Sequence, residues 1–269
     1  MMLALGVVGA YGALCIAARL WYPRALFPAP QSSIVTKDLE EKLVTLPQKD
    51  GSSTKALYFA PPKDDARTVV VFHGNAETIF DEVWLAEELV RRGFGALLVE
   101  YRGYGVTYGP PPSEAMVYED GEAALGWLAD KGLSKERIAL CGMSLGTAIA
   151  VEMAHRGHGS KLVLFSPFTS MIEMGKVIAP ILPVSLLMAH RFESIAKAPK
   201  IAQSTLVIHG DQDEVIPFAM GEAIGKAIPG ARFVRVASAH HNDLFVRERS
   251  GAPSASEILD LVTQHLTAP

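Results

Sequence analysis

Ser144 is the middle residue of Gly142-Met143-Ser144-Leu145-Gly146. The apolar run Ile138-Ala139-Leu140-Cys141 precedes it, and the helix-forming stretch LGTAIAVEMAHR follows. A serine on a sharp strand-to-helix turn presents its hydroxyl at the sheet's edge, and a glycine two residues to either side lets strand and helix close up. The helix amino terminus also favours negative charge developing beside that hydroxyl. The chemistry this arrangement suits is nucleophilic attack on a carbonyl. A serine hydroxyl is weak near neutral pH, so it needs a base, and the base needs an orienting carboxylate.

Both are supplied downstream, in the order Ser, acid, His that suits this turn type. The run STLVIH leads into Gly210-Asp211-Gln212-Asp213-Glu214, and ARFVRVA leads into Ala239-His240-His241-Asn242-Asp243. Each lies just past a strand's carboxyl end, where α/β sites are built. Asp213 is the favoured acid, since the turn after His209-Gly210 swings the third residue toward the histidine loop; Asp211 and Glu214 are its rivals. His241 is the favoured base, with His240 its rival. His155, His158, His190 and His265 read as surface groups. The strand VVVF ends in His73-Gly74-Asn75-Ala76. A backbone N–H there and the one following the nucleophile are the usual oxyanion donors, which nominates Asn75 and Leu145.

Other chemistries lack their residues. The two cysteines, Cys15 and Cys141, form no CxxC, and no HExxH or similar metal spacing occurs. Gly103, Gly105 and Gly109, in and after Glu100-Tyr101-Arg102-Gly103-Tyr104-Gly105, follow a strand, but Gly109 is one place late for GxGxxG, and prolines follow where a helix is required. No cofactor is called for.

The elements that must position these residues are legible from hydropathy. Strands are expected at Leu43–Pro47, Ala56–Ala60, Thr68–Phe72, Ala96–Tyr101, Arg137–Cys141, Lys161–Phe165, Thr205–Ile208 and Arg232–Val236. Several are continuously apolar, as in strands covered on both faces. Helices are expected at Phe80–Arg91, Glu114–Asp130, Leu145–Arg156, Phe218–Ala227 and Ser254–His265. This alternation predicts an α/β fold with a mostly parallel eight-stranded sheet and helices on both faces. The turn Lys49-Asp50-Gly51-Ser52 makes the first two strands an antiparallel hairpin at one edge. Residues 167–200 interrupt the rhythm with two apolar clusters around Pro180 and Pro183, and read as a short helical cap.

The 269 residues are 49% apolar and 20% charged, with a net charge of −4. Disorder is excluded, and so is a broadly basic surface for nucleic acid. Residues 2–18 carry no charge, and Arg19, Trp21, Tyr22 and Arg24 follow. They read as a single-pass amino-terminal membrane anchor over 1–20, with a linker over 21–40 and the catalytic domain over 41–269. A cleaved signal peptide is the weaker reading, because no basic residue precedes the apolar run.

HGNAE (73–77), EYRGYG (100–105), GMSLG (142–146), SPFTSM (166–171), LPVSLL (182–187), RFESIAKAPKI (191–201), HGDQDEVIP (209–217) and HHND (240–243) together resemble the Bem46-like serine hydrolases. That group lies in the α/β-hydrolase superfamily and is related to the mammalian α/β-hydrolase domain proteins 13 and 17. The resemblance implies the α/β-hydrolase fold and supports Asp213 and His241. It departs at Glu100, where Asp is more usual, and at His240, where Gly is usual. Members often carry an amino-terminal membrane segment. The expected activity is cleavage of a small-molecule ester, thioester or acylated substrate, with Phe168, Met171 and Leu186 lining the acyl pocket. A peptidase or amidase of the same fold is the alternative, and a non-catalytic scaffold is a third reading that the full Ser/Asp/His set disfavours.

Overall fold

The computed structural model of the chain describes residues 2–32, 36–245 and 253–268. Its elements run in the order α1 (Met2–Leu26), α2 (Lys37–Glu40), β1 (Leu43–Pro47), β2 (Ser53–Phe59), β3 (Thr68–Phe72), α3 (Val83–Arg91), β4 (Gly95–Val99), α4 (Glu114–Asp130), β5 (Ile138–Met143), α5 (Leu145–His155), β6 (Lys161–Phe165), α6 (Met171–Ile178), α7 (Val184–Leu187), α8 (Ser194–Lys197), β7 (Ser204–Gly210), α9 (Phe218–Ala227), β8 (Arg232–Val236) and α10 (Ala255–Thr267). The strands form one eight-stranded sheet in the order β1-β2-β4-β3-β5-β6-β7-β8. The β1/β2 and β2/β4 pairs are antiparallel, and every other pair is parallel. The mostly parallel sheet expected from the sequence is what forms.

The continuous apolar runs explain why the middle of the sheet is parallel and doubly covered. All five residues of β3 are buried. Val69 and Val71 join the core on the side of α3 and α10, with Leu85, Leu89, Ile258 and Leu259. Val70 and Phe72 face the opposite layer, with Ala148 and Val151 of α5 and Val117 of α4. A period-2 strand thus serves two helical layers at once. Caps fix where the helices begin. Ser113 accepts from the Met116 N–H at 3.3 Å ahead of α4, and Ser254 and Glu257 form a reciprocal capping box ahead of α10. The α3 helix starts three residues later than expected from Phe80. The Asp81 carboxylate accepts from the Thr78 N–H and hydroxyl, so residues 78–81 are held as a turn.

The expected single-pass anchor is corrected. Among the described residues, no helix is long and apolar enough to cross a membrane. The helix α1 runs past the expected boundary at residue 20 to Leu26, and it includes Arg19, Pro23 and Arg24. Three of its polar side chains are engaged with the protein. Tyr11 donates to the Ile181 carbonyl at 2.7 Å, Arg19 to the Leu187 carbonyl at 2.8 Å, and the Ala189 N–H donates to Tyr22 at 2.7 Å. Instead of a tether separate from the enzyme, α1 lies against the 179–189 segment. Of the expected linker over 21–40, residues 33–35 lie outside the described residues.

Backbones pack closely where β5 turns into α5. A methyl group added at Gly146 would sit 2.0 Å from the Phe72 carbonyl oxygen and 2.7 Å from that of His73. Helix α5 can approach the β3 edge only because residue 146 has no side chain. Gly126, on the outer face of α4, has open space around its Cα. Gly146→Ala is therefore expected to destabilise the fold by about 3 kcal/mol through overpacking. Gly126→Ala is expected to stabilise it by about 0.5–1 kcal/mol through helix propensity. Thermal denaturation of the two variants beside wild type should shift the midpoint in opposite directions.

Candidate active site

Ser144 occupies φ 50°, ψ −115° at the junction of β5 and α5. For a residue with a side chain this is a strained backbone, of a kind that persists only where its surroundings hold it. The Ser144 N–H donates to the Phe165 carbonyl of β6 at 3.0 Å. The Ser144 carbonyl accepts from the Thr147 N–H at 3.0 Å and from its hydroxyl at 2.6 Å. With both backbone groups fixed, the side chain projects beyond the carboxyl edge of the sheet.

His241 lies on the loop after β8, and Asp213 lies on the loop after β7. The Ser144 Oγ is 3.1 Å from His241 Nε2, and His241 Nδ1 is 2.8 Å from Asp213 Oδ2. A proton on Nδ1, donated to the carboxylate, leaves Nε2 free to accept from the serine hydroxyl. Burial works against a charge on Asp213, but hydrogen bonds from His209, His241 and the Ile216 N–H prevail and hold its carboxyl far below the usual range. Asp213 Oδ1 accepts from the N–H groups of Val215 at 2.9 Å and Ile216 at 2.7 Å. All of its side chain is buried. Its charge is therefore fixed in place by a turn of its own loop.

The rival residues have other partners. Asp211 is bound by Arg235 at 2.5 Å and by the Ser238 N–H at 2.7 Å. Glu214 is 3.0 Å from His240 Nδ1 at the exposed rim. Sequence reasoning passed over His209. It is fully buried, with Nε2 3.2 Å from Asp213 Oδ2 and 3.1 Å from the Ile216 carbonyl. It is thus a second imidazole positioning the same carboxylate. Its place at the end of the strand STLVIH, four residues before Asp213, was the available signal. His265, expected at the surface, is buried and hydrogen-bonded to the Ser204 carbonyl at 3.0 Å.

The loop after β3 is braced from below. His73 is buried, with Nε2 3.0 Å from Glu100 Oε1 and Nδ1 2.9 Å from the Gly74 carbonyl. Burial opposes a charged imidazole, but the Glu100 carboxylate outweighs it and raises the His73 pKa. Tyr101 donates to the His73 carbonyl at 2.8 Å, and Tyr104 donates to the Asn75 side-chain oxygen at 3.1 Å. Glu77 accepts from the Gly74 N–H at 2.6 Å. The loop bearing Asn75 is therefore fixed opposite Leu145, the first residue of α5.

A cavity of about 360 Å³ opens from Ser144, with Asn75 and Leu145 on its wall. Phe168, Met171, Met174, Leu182 and Leu187 of the 166–188 segment line it, and so do Ala18, Trp21, Tyr22, Ala25 and Leu26 of α1. Of the three residues proposed from sequence for an acyl pocket, Phe168 and Met171 line this cavity. Leu186 does not. It is 81% exposed, and Leu187 takes its place, because one residue along a helical turn rotates a side chain by about 100°. The contribution of α1 went unread because its apolar residues were assigned to lipid. Among the described residues, no group of three or more His, Cys, Asp and Glu is placed to hold a metal ion.

The chain is similar to known proteins in sequence and in fold. The serine aminopeptidase family S33 matches residues 63–196. An uncharacterized protein of Mycobacterium tuberculosis is 35% identical over 228 residues, covering 84% of this chain and 80% of that one. Human α/β-hydrolase domain-containing protein 17C is 38% identical over 147 residues, covering 54% of this chain and 43% of its own. An esterase from Pyrococcus furiosus superposes with a TM-score of 0.68 at 18% identity, over 88% of this chain and 96% of that one. A serine hydrolase homologue from Coxiella burnetii superposes with a TM-score of 0.63 at 20% identity, over 88% and 100%. At these identities the solved structures speak for the fold alone, and the relatives speak for the lineage. By sheet order, strand-to-helix turn and sequence, this chain is a hydrolase belonging to the α/β-hydrolase superfamily.

Proposed function

We propose that the chain is a serine hydrolase that cleaves carboxylic esters or thioesters of apolar acyl groups. The observation that carries this reading is the Ser144–His241–Asp213 hydrogen-bonded line at the mouth of an apolar cavity. Ser144 Oγ attacks the carbonyl carbon while His241 Nε2 takes its proton. The carbonyl oxygen becomes an oxyanion facing the backbone N–H groups of Asn75 and Leu145. The bond to the leaving group breaks, and His241 returns the proton to the departing oxygen or sulfur. Water then attacks the acyl-enzyme by the same route, releasing the acid and restoring Ser144. Asp213 holds the imidazole tautomer and offsets its charge in the transition state.

The cavity wall supports an apolar acyl group, since its lining side chains are aliphatic, thioether or aromatic apart from the catalytic end. Each methylene buried there contributes about 0.8 kcal/mol, or about fourfold, to transition-state binding if that burial is complete.

A fluorophosphonate probe is expected to label wild type at one site and to leave Ser144→Ala unlabelled. A folded wild type that resists the probe would rule out the mechanism. With a p-nitrophenyl ester, Asp213→Asn should lower kcat by about 10⁴. His241→Ala should do at least as much, whereas His240→Ala and Glu214→Gln should stay within about twofold of wild type; a reversal of the two histidines would move the base to His240. Across a p-nitrophenyl ester series, kcat/KM should climb with chain length and then level off. Ala25→Trp should bring that plateau to shorter chains, and an unchanged profile would remove α1 from the acyl site. An amide panel run beside it separates esterase from amidase.

A further inference from the structure

A second cavity, also about 360 Å³, meets the first at Ser144. Its chemistry is the reverse of the acyl cavity's. Glu77, Asp81 and Glu82 line it, together with Trp84, Phe165 and Phe245. We propose that this cavity is the leaving-group site, and that it is built for a leaving group carrying an organic ammonium. The inference rests on the hydrolase reading of Ser144 and His241.

The direction of the reaction assigns the two cavities. His241 must reach the departing heteroatom to protonate it. His241 and Asn242 form part of the acidic cavity's wall, whereas the oxyanion residues Asn75 and Leu145 line the apolar one. An ester bound with its carbonyl oxygen toward Asn75 and Leu145 therefore lays its acyl chain under α1 and its alcohol portion beside Glu82.

The cavity also holds polar atoms that the protein leaves unmatched. Glu82 is 2% exposed, and its Oε2 has no hydrogen-bond partner. Ser166 is 3% exposed, and its Oγ is likewise without one. Both residues line this cavity. A buried polar oxygen without a partner is costly, so such atoms occur where a ligand supplies what is missing. The charges around Glu82 do not supply it. Burial pushes its pKa up to about 8, with Glu77 and Asp81 adding to the rise and His73 opposing it. Apart from His241, no cationic side chain is among the described lining residues. An organic cation beside Glu77, Asp81 and Glu82 would favour the ionised form of Glu82 and supply the opposite charge that these acids lack.

The aromatic residues narrow the class. Trp84 and Phe245 meet edge to face at 4.8 Å, and Phe165 and Phe245 at 5.1 Å. Aromatic faces beside carboxylates suit a bulky, weakly hydrated alkylammonium, which both can stabilise at once. The reaction is then cleavage of an amino-alcohol ester. Ser144 Oγ bonds to the carbonyl carbon, and its proton passes through His241 to the alcohol oxygen as the ester C–O bond breaks. The amino alcohol leaves with its ammonium intact. Water completes the second half.

Two esters with one acyl group test this on the full chain: butyrylcholine and 3,3-dimethylbutyl butyrate, in which carbon replaces the charged nitrogen. Wild type is expected to favour the choline ester by about tenfold in kcat/KM, and Glu82→Gln should cut that ratio at least about threefold. Independently of any variant, tetramethylammonium chloride should inhibit wild-type hydrolysis of p-nitrophenyl butyrate competitively, beyond sodium chloride at the same ionic strength. A wild-type ratio near one, no added inhibition by tetramethylammonium, or a ratio indifferent to Glu82→Gln would overturn the assignment. Turnover of p-nitrophenyl butyrate with fluorophosphonate labelling would, in each of those cases, leave the hydrolase reading standing. Loss of both turnover and labelling in wild type would sink the two together.

Discussion

The strained backbone at Ser144 is the constraint on which the rest of the site depends. A serine at φ 50° stays there only if the strand before it, the helix after it and the neighbouring strand all refuse to move. Each of those refusals is visible. The Ser144 N–H is tied to β6, Thr147 closes on its carbonyl from α5, and Gly146 lets α5 press against the end of β3. The same contact brings the loop after β3 beside the serine. Ser144 and the Asn75 loop are thus fixed by one packing event, and neither can shift without the other.

Asp213 and His241 are held by a different principle. They sit on loops, which are ordinarily the mobile parts of a fold. Rigidity comes from hydrogen bonds concentrated on Asp213, whose two oxygens take two backbone N–H groups and face two imidazoles. The carboxylate organises its own loop first and the His241 ring second. This explains why the neighbouring acids do not compete. Asp211 is engaged with Arg235 and the Ser238 N–H, and Glu214 with His240 at the exposed rim.

Much of this was legible in the sequence, for physical reasons that can be named. Parallel strands covered on both faces must be continuously apolar, so VVVF, IALC and LVLF announced the sheet. The chemistry of this architecture gathers at strand ends, so Ser144, Asp213 and His241 stood out where three apolar runs stop. What stayed hidden depends on tertiary placement. Leu186 and Leu187 are equally apolar, and the phase of a four-residue helix decides which one faces inward. Glu82 falls in an ordinary-looking amphipathic stretch, and nothing local reveals that its carboxylate ends in a cavity. The helix α1 misled for a related reason. An apolar helix that roofs a greasy pocket has the same composition as one that meets lipid, and only partners such as Ile181 and Leu187 tell them apart.

The roof that α1 forms has a further consequence. Residues 63–196, where the match to the serine aminopeptidase family lies, contain Ser144 and the Asn75 loop, but they exclude α1. They also exclude Asp213 and His241, and they include Phe168, Met171 and Leu187 of the cavity wall, so α1 is the part of that wall contributed from before the matched stretch. A change of a few side chains near residue 25 would reshape the roof of the cavity while leaving the matched stretch untouched.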